Sequence, residues 1–168
     1  MSPPQTAASA SPAGLVLRPI EPADRGALLA AFERLSPLSR YRRFLTPKPR
    51  LTGAELRFLT EPDPAEHRAL VAVDPCDGAI VGVARFVRWH GSPDAADVAI
   101  AVIDDWHRRG VGHTLMRELI GVARRDGLAR LTATTLVDNR AARGLLRALG
   151  FVVAGIAGET MDVALELR

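Results

Sequence analysis

The sequence predicts an α/β (α+β mixed) fold, one mixed sheet of about seven strands with helices packed on its faces. Three observations predict it. Short apolar runs such as ALVAV (Ala69–Val73) alternate with longer stretches whose apolar residues recur at helical spacing. Glycine, proline and aspartate cluster between those runs, as turns require. The 168 residues are enough for one buried core, and no segment repeats, so one domain suffices.

Each element has its own justification. LVLRPI (Leu15–Ile20) reads as a short strand, closed by Pro19 and a Glu-Pro turn. Pro22 and Asp24 then open a helix with Leu28, Phe32 and Leu35 on one face, stopped by Ser36-Pro37. A short helical piece, LSRYRRFL, follows, and Thr-Pro-Lys-Pro breaks the chain before another helix near Gly53–Thr60. Ala69–Val73 and Ala79–Trp89 read as a hairpin around Asp74-Pro75-Cys76-Asp77-Gly78. HGSPDA reads as a loop, and Ala96–Ile103 as the next strand. From Val111 to about Arg125 a helix carries Val111, Leu115, Leu119 and Val122 on one stripe, closed by Gly127. Leu131–Val137 is a strand, and Asp138-Asn139 caps a helix with Ala142, Leu145, Leu146 and Leu149 inward, ended by Gly150. Strands around Phe151–Ala154 and Met161–Leu167 follow. Trp89 and Trp106 are expected in the core.

Composition excludes several classes. A net charge of +3 does not mark a nucleic-acid binder, although the basic side is nearly all arginine and Lys48 is the only lysine. Cys76 is alone, so no internal disulfide forms, and a reduced, cytoplasmic setting fits. No apolar run approaches the ~18 residues of a membrane span, so no membrane partner is expected. MSPPQTAASASPAG has neither a basic n-region nor an apolar h-region, which argues against a signal peptide. Its proline, alanine and serine predict a mobile tail over 1–13, ahead of a domain over 14–168.

The stretch with the most chemical content is His107-Arg108-Arg109-Gly110-Val111-Gly112, between a strand and a helix. A glycine turn opening a helix aims free backbone N–H groups outward, and the helix dipole adds positive potential, so phosphate is the natural ligand. A P-loop needs Gly-Lys-Ser/Thr, whereas Gly112 is followed by His113-Thr114. The dinucleotide fingerprint needs a third glycine where Leu115 stands. What remains is a turn for one pyrophosphate, with the preceding strand free to pair with an extended ligand.

This pattern resembles the GNAT N-acetyltransferases, whose acetyl-CoA signature is Q/R-x-x-G-x-G/A after a strand. Here His107 replaces the first Gln or Arg. Downstream, Asn139-Arg140-Ala141-Ala142-Arg143-Gly144-Leu145-Leu146-Arg147-Ala148-Leu149-Gly150-Phe151 resembles the second signature, N-x-x-A-x-x-L-Y-x-x-x-G-F. Ser36 to Phe44 and Leu51 to Thr60 are similar to the GNAT domain of bacterial protein-lysine acetyltransferases, some of which carry a cyclic-nucleotide-binding module that 168 residues leave no room for. The resemblance implies a mostly antiparallel GNAT sheet. It also implies acetyl-CoA as co-substrate, with Ile100, Ala101, Val102, Arg108, Arg109, Gly110, Val111, Gly112, His113, Thr114 and Asn139 as binding residues. Asn139 by itself equally reads as a plain helix cap.

Acetyl transfer to an amine needs the amine neutral, and a lysine amine of pKa ~10.4 is mostly protonated at neutral pH. A positioned base contributes ~10²–10⁴-fold, and a backbone N–H on the strand before the turn can hold the oxyanion. The tyrosine that serves as acid in many relatives has Leu146 in its place, and a base used in one subgroup has Thr134. The lysine-acetyltransferase subgroup implies a glutamate where Ala96-Asp97-Val98-Ala99 places Asp97. Asp97 is therefore the candidate catalytic residue, with a water-facing carboxylate at the strand start as the alternative. His107 and His113 read as phosphate-adjacent or exposed, Asp104-Asp105 as turn chemistry, and no His/Cys spacing indicates a metal. Arg40, Arg42, Arg43, Lys48 and Arg50 read as a solvated helix face or as contacts to an acidic substrate or the CoA 3′-phosphate. The expected acceptor is a primary amine, a protein lysine ahead of a small molecule, on a monomer or homodimer. A non-enzymatic acyl-CoA-binding domain is the rival.

Overall fold

The computed structural model describes residues 9–11 and 13–168. Its strands are β1 (Ser9–Ala10), β2 (Val16–Pro19), β3 (His67–Val73), β4 (Ile80–Trp89), β5 (Ser92–Val102), β6 (Arg130–Leu136), β7 (Val152–Ala157) and β8 (Thr160–Glu166). They form one sheet in the order β1-β2-β3-β4-β5-β6-β8-β7. Every pairing is antiparallel except β5 with β6. Of the expected tail, residues 1–8 and 12 lie outside the described residues. Ser9–Ala10 instead extends the sheet edge by pairing with Leu17 and Val16.

The helices are α1 (Arg25–Glu33), α2 (Pro37–Phe44), α3 (Gly53–Thr60), α4 (Val111–Arg125) and α5 (Arg140–Ala148). Local chemistry starts them where the sequence indicates. Ser36 ends the α1 segment and caps α2 by accepting from the Ser39 N–H at 3.1 Å. Thr52 and Glu55 form a capping box at α3.

Strand alternation sorts the helices onto two faces. Gly82 faces α4 so closely that a Cβ there would meet Leu115 Cδ1 at 2.8 Å. Arg85, of opposite parity, donates instead to the Leu59 carbonyl of α3 at 3.1 Å. The α4 face fixes the core: Val111, Leu115, Met116, Leu119, Ile120 and Ala123 are buried, while Val122, expected on the stripe, is only half-buried.

Two expectations need correcting. HGSPDA is mostly strand, because the turn closes within His90-Gly91 and Ser92 already pairs with Trp89. Gly91 supplies the required positive φ of 79°. Trp89 is exposed rather than core, since it lies beyond a register shift at the end of β4. Trp106 packs partly buried against the core.

Candidate functional site

The site begins where a ladder stops. β5 and β6 pair at Ala95–Arg130, Ala96–Leu131 and Asp97–Thr132, and there the parallel register ends. From Val98 to Val102, β5 pairs only with β4, so its opposite edge keeps backbone groups for another partner. The gap opens into a cleft of about 570 Å³. One wall is Val98–Val102, the other includes Thr134, Thr135 and Asn139, and α5 contributes Leu145 and Leu146.

The glycine turn closes one end. Gly110 takes φ 77°, and Arg108 also adopts a positive φ of 61°. Thr114 is the first residue of α4 to find a carbonyl, that of Gly110 at 3.1 Å. Among the described residues, the N–H groups from Arg108 to His113 have no hydrogen-bond partner. A run of free donors at a helix N-terminus suits a pyrophosphate. Gly112 lies against the cleft, where a Cβ would come 3.4 Å from Leu145 Cδ2 and 3.5 Å from Ile100 Cδ1. That space admits one carbon; a branched side chain would project into the path of the ligand.

The expected binding residues divide. Ile100, Ala101, Val102, Arg108, Gly110, Val111, Gly112, His113 and Asn139 line the cleft. Arg109 does not; its guanidinium stacks 4.7 Å from the centre of the Trp106 ring. Thr114 turns its hydroxyl onto the Gly110 carbonyl at 2.9 Å. Asn139 is buried and caps α5 by accepting from the Ala142 N–H at 3.2 Å, so cap and cleft wall are the same residue. His107 is exposed and bonds through Nε2 to the Val102 carbonyl at 2.7 Å, tying the turn back to β5.

Asp97 stands at the last position of β5 that pairs with β6, at the start of the gap, and is exposed. It accepts from the Thr132 hydroxyl and is not among the wall residues. Its partner across β4 is Val87, so it shares a face with Arg85. Leu146, where the family's tyrosine would stand, is buried at the wall.

Two contributions escaped the sequence. Helix α2 brings Ser39 to the cleft, beside Arg42 and Arg43, which the sequence offers as contacts to an acidic substrate or the CoA 3′-phosphate. It is held there by Asp104, which accepts from the Ser36 N–H at 3.1 Å and the Ser39 hydroxyl at 3.2 Å. Partial burial pushes the Asp104 carboxyl up, but those donors outweigh it and hold it below its ordinary range. Asp162, which accepts from Thr134 beside the gap, is the second. It sits opposite Thr134 only through the β6–β8 register, which no local motif encodes.

Among the described residues no helix is long and apolar enough to cross a membrane, and no cluster of metal-ligating side chains occurs.

The profile of the acetyltransferase (GNAT) family matches residues 32–151. Acetyltransferase Pat of Mycolicibacterium smegmatis is 38% identical over 136 residues, which is 81% of this chain and 40% of that protein. The chain thus spans less than half the length of that relative. The crystal structure of the GNAT domain of S. lividans PAT shares 25% identity and a TM-score of 0.89 over 99% of both chains. The yncA protein of Salmonella typhimurium, solved with its cofactor acetyl-CoA, shares the fold at TM-score 0.75 and 21% identity over 92% of this chain and 94% of that one. A strand pair that parts above a glycine turn, and a profile match across most of the domain, have one explanation: the chain belongs to the GNAT family of acetyltransferases.

Proposed function

We propose that the chain transfers an acetyl group from acetyl-CoA to a primary amine, directly and within a ternary complex. The observation that carries this is the parting of β5 from β6 directly above the unpaired N–H groups of the turn. The pantetheine arm then pairs along Val98–Val102, and the pyrophosphate takes the donors of residues 108–113. Asn139 borders the arm.

Asp97 accepts the amine proton, directly or through a water. The neutral nitrogen attacks the thioester carbon, and a β5 N–H facing the gap holds the oxyanion. Collapse expels CoA as its thiolate, since Leu146 offers no proton, and the proton still carried by the nitrogen passes to solvent or to that thiolate. No acyl-enzyme is formed. Cys76 is exposed in the β3–β4 turn, outside the cleft. The hydrogen bond and negative charge of Asp74 raise its thiol pKa, so it is a poor nucleophile. The resemblance to lysine acetyltransferases makes a protein lysine the first acceptor to try, and a small amine the second.

Release of CoA thiol from acetyl-CoA, followed across a panel of lysine peptides and small amines, tests the reading. At least one amine should raise the rate well above the amine-free background. A uniform background rate, with acetyl-CoA still bound, would instead identify an acyl-CoA-binding domain without transferase activity.

A further inference from the structure

Arg43 and Arg85 are cations with no anion. Neither enters an ion pair among the described residues, whereas Arg18, Arg34, Arg57, Arg68 and Arg130 each meet a carboxylate. Arg85 is 5% exposed. Its Nη1 donates to the Leu59 carbonyl at 3.1 Å and contacts His67 Nε2 at 2.9 Å. Its Nε and Nη2 find no acceptor there. Arg43 has no hydrogen bond at all among the described residues; its guanidinium only lies 4.7 Å from the Phe44 ring centre.

Capping the end of α3 explains one nitrogen of Arg85 and nothing of Arg43. Arg85 is a buried charge whose fold cost is offset only by a partner, whereas Arg43 is half-buried at the rim beside it. Their neighbour His67 offers no help, because burial and the two arginine charges push its pKa down to about 4 and leave it neutral. Burial lowers Arg43 to about 10, and burial with the Arg43 charge lowers Arg85 to about 9. Both remain cationic at neutral pH.

The pair lines a cavity of about 50 Å³ beneath α1 and α2, room for a group the size of a carboxylate. That cavity adjoins the acyl-transfer cleft, since Arg43, Leu35 and Ala101 line both. Arg85 lies directly across from Ala99 of the cleft wall, and Val87 lies across from Asp97. Asp97 and Arg85 are therefore diagonal neighbours on one face, about 7–8 Å apart at the backbone.

We propose that Arg43 and Arg85 bind a carboxylate of the acceptor, which makes the acceptor an amino acid rather than an isolated amine. The inference rests on the acyl-transfer reading of the cleft and, within it, puts a small carboxylate-bearing amine ahead of a protein lysine. The arrangement also suits the chemistry. An unfilled pair of cations disfavours an ammonium nearby and so favours the neutral amine, while the carboxylate supplies the missing negative charge.

The test compares free L-amino acids with their carboxamides, using acetyl-CoA and the full chain. An amide has the less basic amine and more of it neutral, so a preference for the acid runs against intrinsic reactivity. The expected result is kcat/KM at least 10-fold higher for the best acid than for its amide. Arg43→Gln should remove about 10- to 100-fold of it through KM, the range of a charge-assisted hydrogen bond, and so cost the acid far more than the amide. Because Arg85→Gln endangers folding, Arg85→Lys with a melting curve is its companion. A readout independent of turnover is stabilisation by N-acetyl-L-amino acids over their amides, lost in Arg43→Gln. Lysine peptides or amides reacting as well as acids, insensitive to Arg43→Gln, would overturn the proposal and leave acetyl transfer standing. So would an arginine-dependent preference for succinyl-CoA over acetyl-CoA with amide acceptors, since the carboxylate would then belong to the acyl chain. Failure to bind acetyl-CoA at all would overturn the acyl-transfer reading instead.

Discussion

To serve as the proposed base, a carboxylate at position 97 has to reach an amine at the gap between β5 and β6, with a side chain one methylene shorter than glutamate's. Its hydrogen bond from Thr132 holds it at the start of that gap. If it takes the proton, Asp97→Asn should lower turnover by about 10²-fold or more near neutral pH, the low end of general-base effects. Acetyl-CoA affinity should hold, and raising the pH toward the amine's own pKa should partly restore the rate. Superimposable pH–rate curves for the two proteins would make Asp97 structural. Gly112 makes the opposite demand, that nothing project. Its φ is unremarkable and one carbon fits, so Gly112→Val should cost little stability while sharply weakening acetyl-CoA binding, read from the melting-temperature gain the ligand gives each protein. An unchanged gain would show that the turn does not hold phosphate. The glycine turn was legible in the sequence as a local pattern, whereas Asp97 entered through the family resemblance and lies within β5 rather than at its start. Arg43 and Arg85 as a pair were not legible, because 42 positions and the β3–β4–β5 register separate their side chains from any shared motif.

At the scale of elements, the boundaries that chain-local chemistry sets were legible, and those that pairing sets were not. Ser36, Thr52 and Asn139 cap α2, α3 and α5 where hydroxyl and amide side chains precede helical periodicity. The start of β5 was missed because Gly91 and Pro93 resemble loop punctuation. In the fold the Ala129 N–H bonds to the Asp94 carbonyl at 2.7 Å, carrying the β5–β6 ladder back into that stretch. On α5 the inward residues split, Leu146 buried and Leu145 half-buried, because the helix faces a cleft rather than a closed core. The junction of β2 and α1 depends on one ion pair. Asp24, 7% exposed, meets Arg18 at 2.7 and 2.8 Å and accepts from the Glu21 N–H at 2.8 Å. The Arg18 hydrogen bond, opposed by burial and aided by the Glu21 N–H, holds its carboxyl below the ordinary value of 3.8. Folding thus favours the ionised form. The stabilisation is complete above the unfolded value and is lost as pH falls through the lower folded one. Asp24→Asn should cost about 1–3 kcal/mol at neutral pH. In denaturant melts the difference from the parent should shrink as the pH drops below 3.8; a difference that stays constant with pH would show that the charge is not what matters.

The whole molecule can be understood as a sheet held closed on one side and deliberately unpaired in one place. Strands β1 to β5 and β6 to β8 each form continuous antiparallel ladders, and the short parallel contact at residues 95–97 joins them. Helix α4 locks the first ladder from one face, with Leu115, Met116 and Leu119 fully buried. The helices α1 to α3 cover the other face, where Asp104 pins α2 beside the cleft. The sequence marked the strands and the glycine turn, but the point at which the strands part follows from where pairing ends. In the proposed reading, acetyl-CoA fills this gap in the hydrogen-bond ladder. Amide hydrogen exchange with and without acetyl-CoA tests it most directly, because both the strand edge and the turn carry N–H groups that lack partners in the free protein. New protection is expected mainly at residues 98–102 and 108–113 with acetyl-CoA, and none there with NADH. Protection elsewhere with those two segments still exchanging freely, or the same pattern with NADH, would contradict it.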